Sequence, residues 1–140
     1  KTVLLSPYAR AVSVEDIKIF TVLARLLKKQ GFVVLTNISD SRQKPVPGTQ
    51  SVTCTLTQVV SLVRTGGYVV GIRSGLLDLL AYTKCTMVAI YPDLPGNKSF
   101  FDLEQLPEIQ AKILQISTTN SIRHDVKRIL DFLQGGKTWQ

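Results

Sequence analysis

Tyr68–Pro92 reads YVVGIRSGLLDLLAYTKCTMVAIYP, and its three parts decide the fold. Tyr68–Ile72 is a short apolar run rich in β-branched residues, the pattern of a strand. Ser74-Gly75 is a break, and Leu76–Lys84 behind it is short and Leu-rich, the pattern of a compact helix. Thr86–Tyr91 is a second apolar strand, ended by Pro92. Strand, tight turn, helix and strand make one βαβ unit. Both strands are apolar at consecutive positions, as expected of a parallel sheet covered on both faces. The turn at Arg73-Ser74-Gly75 then falls at the carboxyl end of the sheet, where open α/β folds bind ligands.

The same logic extends outward. Thr2–Ser6 (TVLLS) is an apolar strand, followed by a loop from Pro7 to Val12. Ser13 is placed to cap a helix, with Glu15 and Asp16 in its first turn. Ile17, Phe20, Leu23, Ala24 and Leu27 recur at helical spacing, and Gly31 fits the position just past the helix end. Phe32–Thr36 is the next strand. Asn37–Val52 is irregular: Asp40, Ser41, Pro45, Pro47 and Gly48 exclude a long element. Thr55 or Thr57 caps a helix carrying Val59, Val60, Leu62 and Val63, which ends near Gly66-Gly67. Beyond Pro92, Asp93–Asn97 is a turn and Leu103–Pro107 a short helical turn. Ile109–Ile116 carries both periodicities and is read as a helix running into a strand. Ser121 opens a terminal helix stopped by Gly135-Gly136. The order predicts an α/β fold: a Rossmann-like three-layer α/β/α architecture with a mostly parallel sheet. Residues 1–136 are expected to form a single domain, with 137–140 a frayed tail.

Composition narrows the function classes. With 44% hydrophobic and 19% charged residues among 140, the chain is globular and long enough for a real core. No apolar window is long enough to cross a bilayer. Lys1–Pro7 reads as a strand and not a leader, and a chain opening on Lys1 with a strand and no Met is expected to be a processed or excised piece of something longer. Cys54 and Cys85 lack metal-ligand spacing and are expected to be free, in keeping with a reducing, cytoplasmic compartment. The net charge of +7 favours an anionic partner: nucleotide, nucleic acid or acidic membrane surface.

The candidate site residues follow from position. Arg73, Ser74 and Gly75 offer a cation, a hydroxyl and an approachable backbone beside a helix start, suited to an anion such as phosphate. The alternative is that Gly75 serves packing and Arg73 is a surface charge. Asp78, one turn on, either accepts hydrogen bonds from a sugar hydroxyl or forms a salt bridge to Arg73 or Arg10. Ser6-Pro7-Tyr8-Ala9-Arg10 follows the first strand at the same edge, where Tyr8 can stack on a base and Arg10 pair with phosphate. Gly48 and Thr49 either present backbone groups to a ligand or are plain loop. The basic residues Arg25, Lys28, Lys29, Arg42 and Lys44 read by default as a solvated helix end and loop. His124, beside Arg123 and Asp125, reads as a surface residue. No nucleophile, paired-carboxylate or metal-ligand constellation is seen, and neither GxxxxGK[ST] nor GxGxxG occurs, so no catalytic residue, metal or cofactor is assigned. Aromatic residues are scattered and make no base-stacking platform, which argues against nucleic acid.

Two runs carry a resemblance. VLLSPYARAVSVEDIKIFTVLARLLKKQGFVVLTN resembles the start of the C-terminal half of a GT-B glycosyltransferase. PVPGTQ and CTLTQVVSLVRTGGYVVGIRSGLLDLLAYTKCTMVAIYP resemble the donor-binding segment of bacterial polysaccharide and lipopolysaccharide glycosyltransferases related to the heptosyltransferases. The resemblance covers most of Val3–Pro92. It implies a nucleotide-sugar donor whose diphosphate meets the backbone of Ser74, Gly75 and Leu76, with Arg73 as counter-charge and Ser6 and Tyr8 at its border. Asp78 stands where the heptosyltransferase pattern has histidine, so no catalytic role carries over to it. The resemblance further implies an N-terminal acceptor domain as partner, and a cytoplasmic place at the inner face of the membrane. The other reading from the residues is a non-catalytic nucleotide- or anion-binding module, or a protein-interaction module.

Overall fold

A computed structural model describes residues 1–8, 17–91, 103, 106–118 and 121–135. Six parallel strands form one sheet: β1 (Thr2–Ser6), β2 (Val33–Asn37), β3 (Gln50–Val52), β4 (Tyr68–Ile72), β5 (Thr86–Tyr91) and β6 (Lys112–Ser117). Their spatial order is β3-β2-β1-β4-β5-β6. Among the described residues, α1 (Ile17–Lys29), α2 (Leu56–Arg64) and α3 (Gly75–Leu80) lie between strands, and α4 (Ile122–Leu133) follows β6. This is a Rossmann-like α/β fold.

The alternation of side chains along each strand builds two cores. Val3, Leu5, Val34, Val70, Ile72, Val88, Ile90 and Ile116 face α1 and α4. Leu4, Val69, Met87 and Ala89 face α2 and α3. A strand with both faces covered has no polar position to spare, which explains the unbroken apolar runs in β1, β4 and β5.

Helix ends follow the chain's punctuation. Thr55 caps α2 in a full capping box with Gln58. Ser121 caps α4 by accepting from the His124 N–H. Gly31 ends α1 at φ 88°, with Gly31 N–H bonded to Lys28 O and Phe32 N–H to Leu27 O, the paired closure of a Schellman motif. The Ser13 cap, the Asp93–Asn97 turn and the 137–140 tail lie outside the described residues.

Three expectations are corrected. The Asn37–Val52 stretch holds a strand, β3, three residues long and pairing only with β2. Its sequence, Gln-Ser-Val, lacks the apolar content that marked the other strands, because an edge strand of this length buries little. Residues 109–111, read as the end of a helix, carry no helical structure before β6. There, the Gln110 and Ala111 N–H groups both donate to the Ala81 carbonyl, which ties the segment to the end of α3 before β6 begins. Finally, α3 stops at Leu80, short of Lys84, because Tyr82 and Thr83 close back onto Leu79 and Leu80 in tight turns.

Gly71 and Gly75 stand four residues apart and predict opposite outcomes. A Cβ at Gly71 would lie 2.9 Å from both the Cβ and the carbonyl oxygen of Ser6, where neither can yield cheaply. Gly71→Ala is expected to cost about 1–3 kcal/mol by forcing β1 and β4 apart. A Cβ at Gly75 meets nothing within 4 Å. Gly75→Ala is therefore expected to leave stability unchanged or raise it by up to about 1 kcal/mol, as Gly-to-Ala changes in helices do. Urea unfolding of the two variants checks both.

Candidate functional site

The strand order reverses beside β1. From β1 the chain moves outward through β2 to β3, then returns to the other side of β1 for β4, β5 and β6. The connections after β1 and β4 therefore lead to helices on different faces of the sheet, and it is between such carboxyl ends that α/β folds form a ligand-binding crevice. Ser6 pairs in register with Gly71. The same edge thus carries Ser6, Pro7 and Tyr8 on one strand and Arg73, Ser74 and Gly75 on its neighbour.

Each residue at this edge has a local reason for its place. The Arg73 N–H donates to the Ile90 carbonyl at 3.0 Å, which extends the β4–β5 pairing one residue beyond β4. Ser74 is extended (φ −159°, ψ 174°) and precedes α3, yet its side chain does not cap the helix. Gly75 is exposed, and the space around it is open. Leu76 is half-buried against the α2/α3 core. Ser6 is buried, in contact range of Gly71.

Arg73 and Asp78 form an ion pair, with Nε 3.1 Å from Oδ1. Of the alternatives for Asp78, this is the salt bridge to Arg73. The Arg73 side chain is 17% exposed and that of Asp78 38%, so the pair is only partly screened by solvent. An anion arriving here meets a cation that already has a carboxylate beside it.

Tyr8 is turned to a structural task. Its hydroxyl donates to the Lys44 carbonyl, which ties the end of β1 to the crossover between β2 and β3. The link runs to the β2 side of β1, whereas Arg73 stands on the β4 side. Arg10 lies outside the described residues.

Gly48 and Thr49, read as ligand contacts or plain loop, lie apart from this group. They immediately precede β3, at the edge where strands begin. Gly48 has φ 81°, and the Thr49 N–H donates to the Val46 carbonyl at 3.0 Å, so Val46-Pro47-Gly48-Thr49 is a tight turn with Pro and Gly at its centre. The Gly48 carbonyl accepts from Lys28 Nζ at 2.6 Å, in the last turn of α1. The Thr49 hydroxyl lies 2.6 Å from that of Thr36, which also accepts from the Val46 N–H at 3.0 Å. This network seats buried Val46 in the α1/α4 core and uses the polar groups of the turn internally.

On the far side of the edge, Tyr91 and Gln115 make a support that sequence reasoning did not single out. The Tyr91 hydroxyl donates to Gln115 Oε1, and the Leu103 N–H donates to the same oxygen at 3.0 Å. Leu103 is fully buried. Tyr91 and Gln115 sit on neighbouring strands, a proximity visible only once the β5–β6 register is known.

Among the described residues there is no group of three or more His, Cys, Asp or Glu able to hold a metal ion. No helix of the described residues is long and apolar enough to cross a membrane. His124 is exposed. Both cysteines are free, and burial pushes both thiols up, Cys85 to about 11. No protein family, curated protein or solved structure matches this chain.

The raised Cys85 thiol gives a direct check. A thiol is reactive as its thiolate. Moving the value from 9.0 to about 11 cuts the thiolate fraction near pH 8 by roughly 100-fold. Iodoacetamide at pH 8 is expected to modify Cys54 first and Cys85 on a far slower timescale, read by mass spectrometry of the intact chain. Equal rates would mean that the packing around Cys85 is looser than the structure has it.

Proposed function

We propose that the crevice between the ends of β1 and β4 binds a nucleotide-sugar donor, and that the chain is the donor-binding half of a GT-B glycosyltransferase of cell-surface glycan synthesis. The observation that carries this reading is the reversal of strand order at β1, which brings Ser6 and the Arg73-Ser74-Gly75 turn to one edge. The unobstructed backbone at Gly75 supports it, as does the resemblance of Val3–Pro92 to the donor-binding segment of such enzymes. The net charge of +7 suits an anionic ligand and an acidic membrane surface at the cytoplasmic face.

In this reading the donor's diphosphate lies against the backbone of Ser74, Gly75 and Leu76. Arg73 supplies counter-charge as the nucleoside diphosphate departs, an electrostatic contribution to transfer. The acceptor and the catalytic base belong to a separate N-terminal domain. The diphosphate draws Arg73 away from Asp78, so the resting ion pair sets a threshold that weakly charged ligands do not cross.

Calorimetry of this chain with uridine, guanosine, adenosine and cytidine diphosphates and their sugars tests the proposal. One nucleoside diphosphate is expected to bind selectively; absence of binding across the panel, repeated with the N-terminal half supplied, would overturn it. Arg73→Ala is expected to weaken the diphosphate about tenfold or more and the matching nucleoside little, the usual scale for loss of a charge-assisted hydrogen bond. Asp78→Asn is expected to tighten the diphosphate by releasing Arg73. If Asp78→Asn instead weakened nucleoside and diphosphate alike, Asp78 would be a sugar-hydroxyl acceptor and not a competitor for Arg73.

A further inference from the structure

The edge of the sheet where strands begin carries a second concave surface. Two adjoining hollows of about 650 Å3 and about 460 Å3 open there, and both are lined by Lys1, Tyr68, Thr86 and Lys112. The register explains the grouping. Tyr68 pairs with Thr86 and Thr86 with Lys112, while Lys1 stands two residues before Val3, the β1 partner of Tyr68. The alternation that turns Val3 and Tyr68 toward α1 and α4 turns Lys1, Thr86 and Lys112 the same way. The larger hollow lies between the ends of those helices, at Gln30-Gly31 and Leu133–Gly135.

The lining is one-sided in charge. Lys1 and Lys112 are shared, Arg64 and Lys84 join them in the smaller hollow, and no Asp or Glu is among the described lining residues of either. Two of the cations are positioned by rings. Lys1 Nζ is 5.5 Å from the centre of the Tyr68 ring and 3.1 Å from its hydroxyl, and Lys112 Nζ is 5.5 Å over the Phe132 ring. Phe32 meets Tyr68 edge-on at 6.2 Å, which holds that ring in place.

Lysines at this edge commonly offset the negative ends of helices. Here those ends are already closed by the backbone: Gly31 and Phe32 N–H groups cap α1, and the Gly135 N–H donates to Phe132 O at the end of α4. The cations are gathered beyond what the helix ends require, in a concavity that focuses their field.

We propose that this groove is a binding site for a small soluble polyphosphate-bearing anion, separate from the crevice at the opposite edge. Neighbouring strands lie about 4.8 Å apart, so the three intervals from β1 to β6 set the backbones of Lys1 and Lys112 roughly 14 Å apart, and their side chains reach the same hollows from either side. Several cations around one concavity suit several phosphates on one ligand better than a single carboxylate. A hollow of this size accommodates a small molecule, with the Thr86 and Tyr68 hydroxyls as further polar contacts.

Titration of the chain with tripolyphosphate, followed by amide chemical shifts and calorimetry at 50 and about 200 mM salt, tests this. Binding is expected to weaken with salt and to shift the amides of Tyr68, Thr86 and Lys112. Lys112→Gln is expected to lower affinity about tenfold, the scale of one lost charged hydrogen bond. Lys127→Gln, which removes an exposed charge from α4 outside the groove, is expected to leave affinity unchanged. Matching melting temperatures establish that each variant is folded. No binding would overturn the proposal. So would equal losses for Lys112→Gln and Lys127→Gln, which would show attraction to net charge alone. Amide shifts confined to residues 73–76 would place tripolyphosphate at the other edge and overturn it equally.

Discussion

Strand β1 is hydrogen-bonded on both sides, to β2 and to β4, and the rest of the structure depends on that double pairing. A strand so placed is enclosed by two neighbours and by helices on both faces, so Val3, Leu4 and Leu5 are fully buried. Because β2 takes one side, the chain must cross back over the sheet to deliver β4 to the other. The reversal is what opens the crevice at the carboxyl edge. The tight fit of Gly71 against Ser6 marks how closely β1 and β4 meet there. Fold and candidate site therefore have one origin: the side on which each neighbour joins β1.

The two edges of the sheet handle charge differently. At the carboxyl edge Arg73 is paired with Asp78, and the Tyr8 hydroxyl and the Tyr91–Gln115 pair are bound into local supports. At the opposite edge Lys1 donates to the Tyr68 hydroxyl and Lys112 lies over the Phe132 ring. A ring attracts a cation without neutralising it, whereas a carboxylate largely cancels its field. The same net charge of +7 is thus expressed unevenly, and the sequence total does not reveal where it is felt.

Much of the fold was legible because local and tertiary signals agreed. The apolar runs of β1, β4 and β5, the capping Thr55 and Ser121, and the glycines after α1 and α2 each specify the element they form. The short edge strand β3 was not legible, since Gln50-Ser51-Val52 has no pattern apart from its partner β2. The strand at Lys112–Ser117 was visible by alternation, but the helical spacing of Ile109, Ile113 and Ile116 competed with it until pairing with β5 decided the matter. At the candidate site, sequence position alone brought Ser6 and Arg73–Gly75 to one edge. It could not separate Gly48 and Thr49 from them, because the 38–49 crossover descends from the carboxyl edge to the start of β3. Nor could it assemble Lys1, Tyr68 and Lys112, which lie far apart in the chain and meet only through the strand register.

The late arrival of β4 also governs how the chain is made. During synthesis β1, α1, β2 and β3 emerge first and can pair among themselves, but the other edge of β1 stays open until residues 68–72 follow. At a typical 5–20 residues per second, the 30 residues between Asn37 and Tyr68 take about 2–6 s to appear. Throughout that interval the most apolar strand of the half-sheet presents unpaired N–H and C=O groups to the cell, the feature by which β-structured intermediates find wrong partners. A strand that ends enclosed on every side is thus open along one edge on the way there.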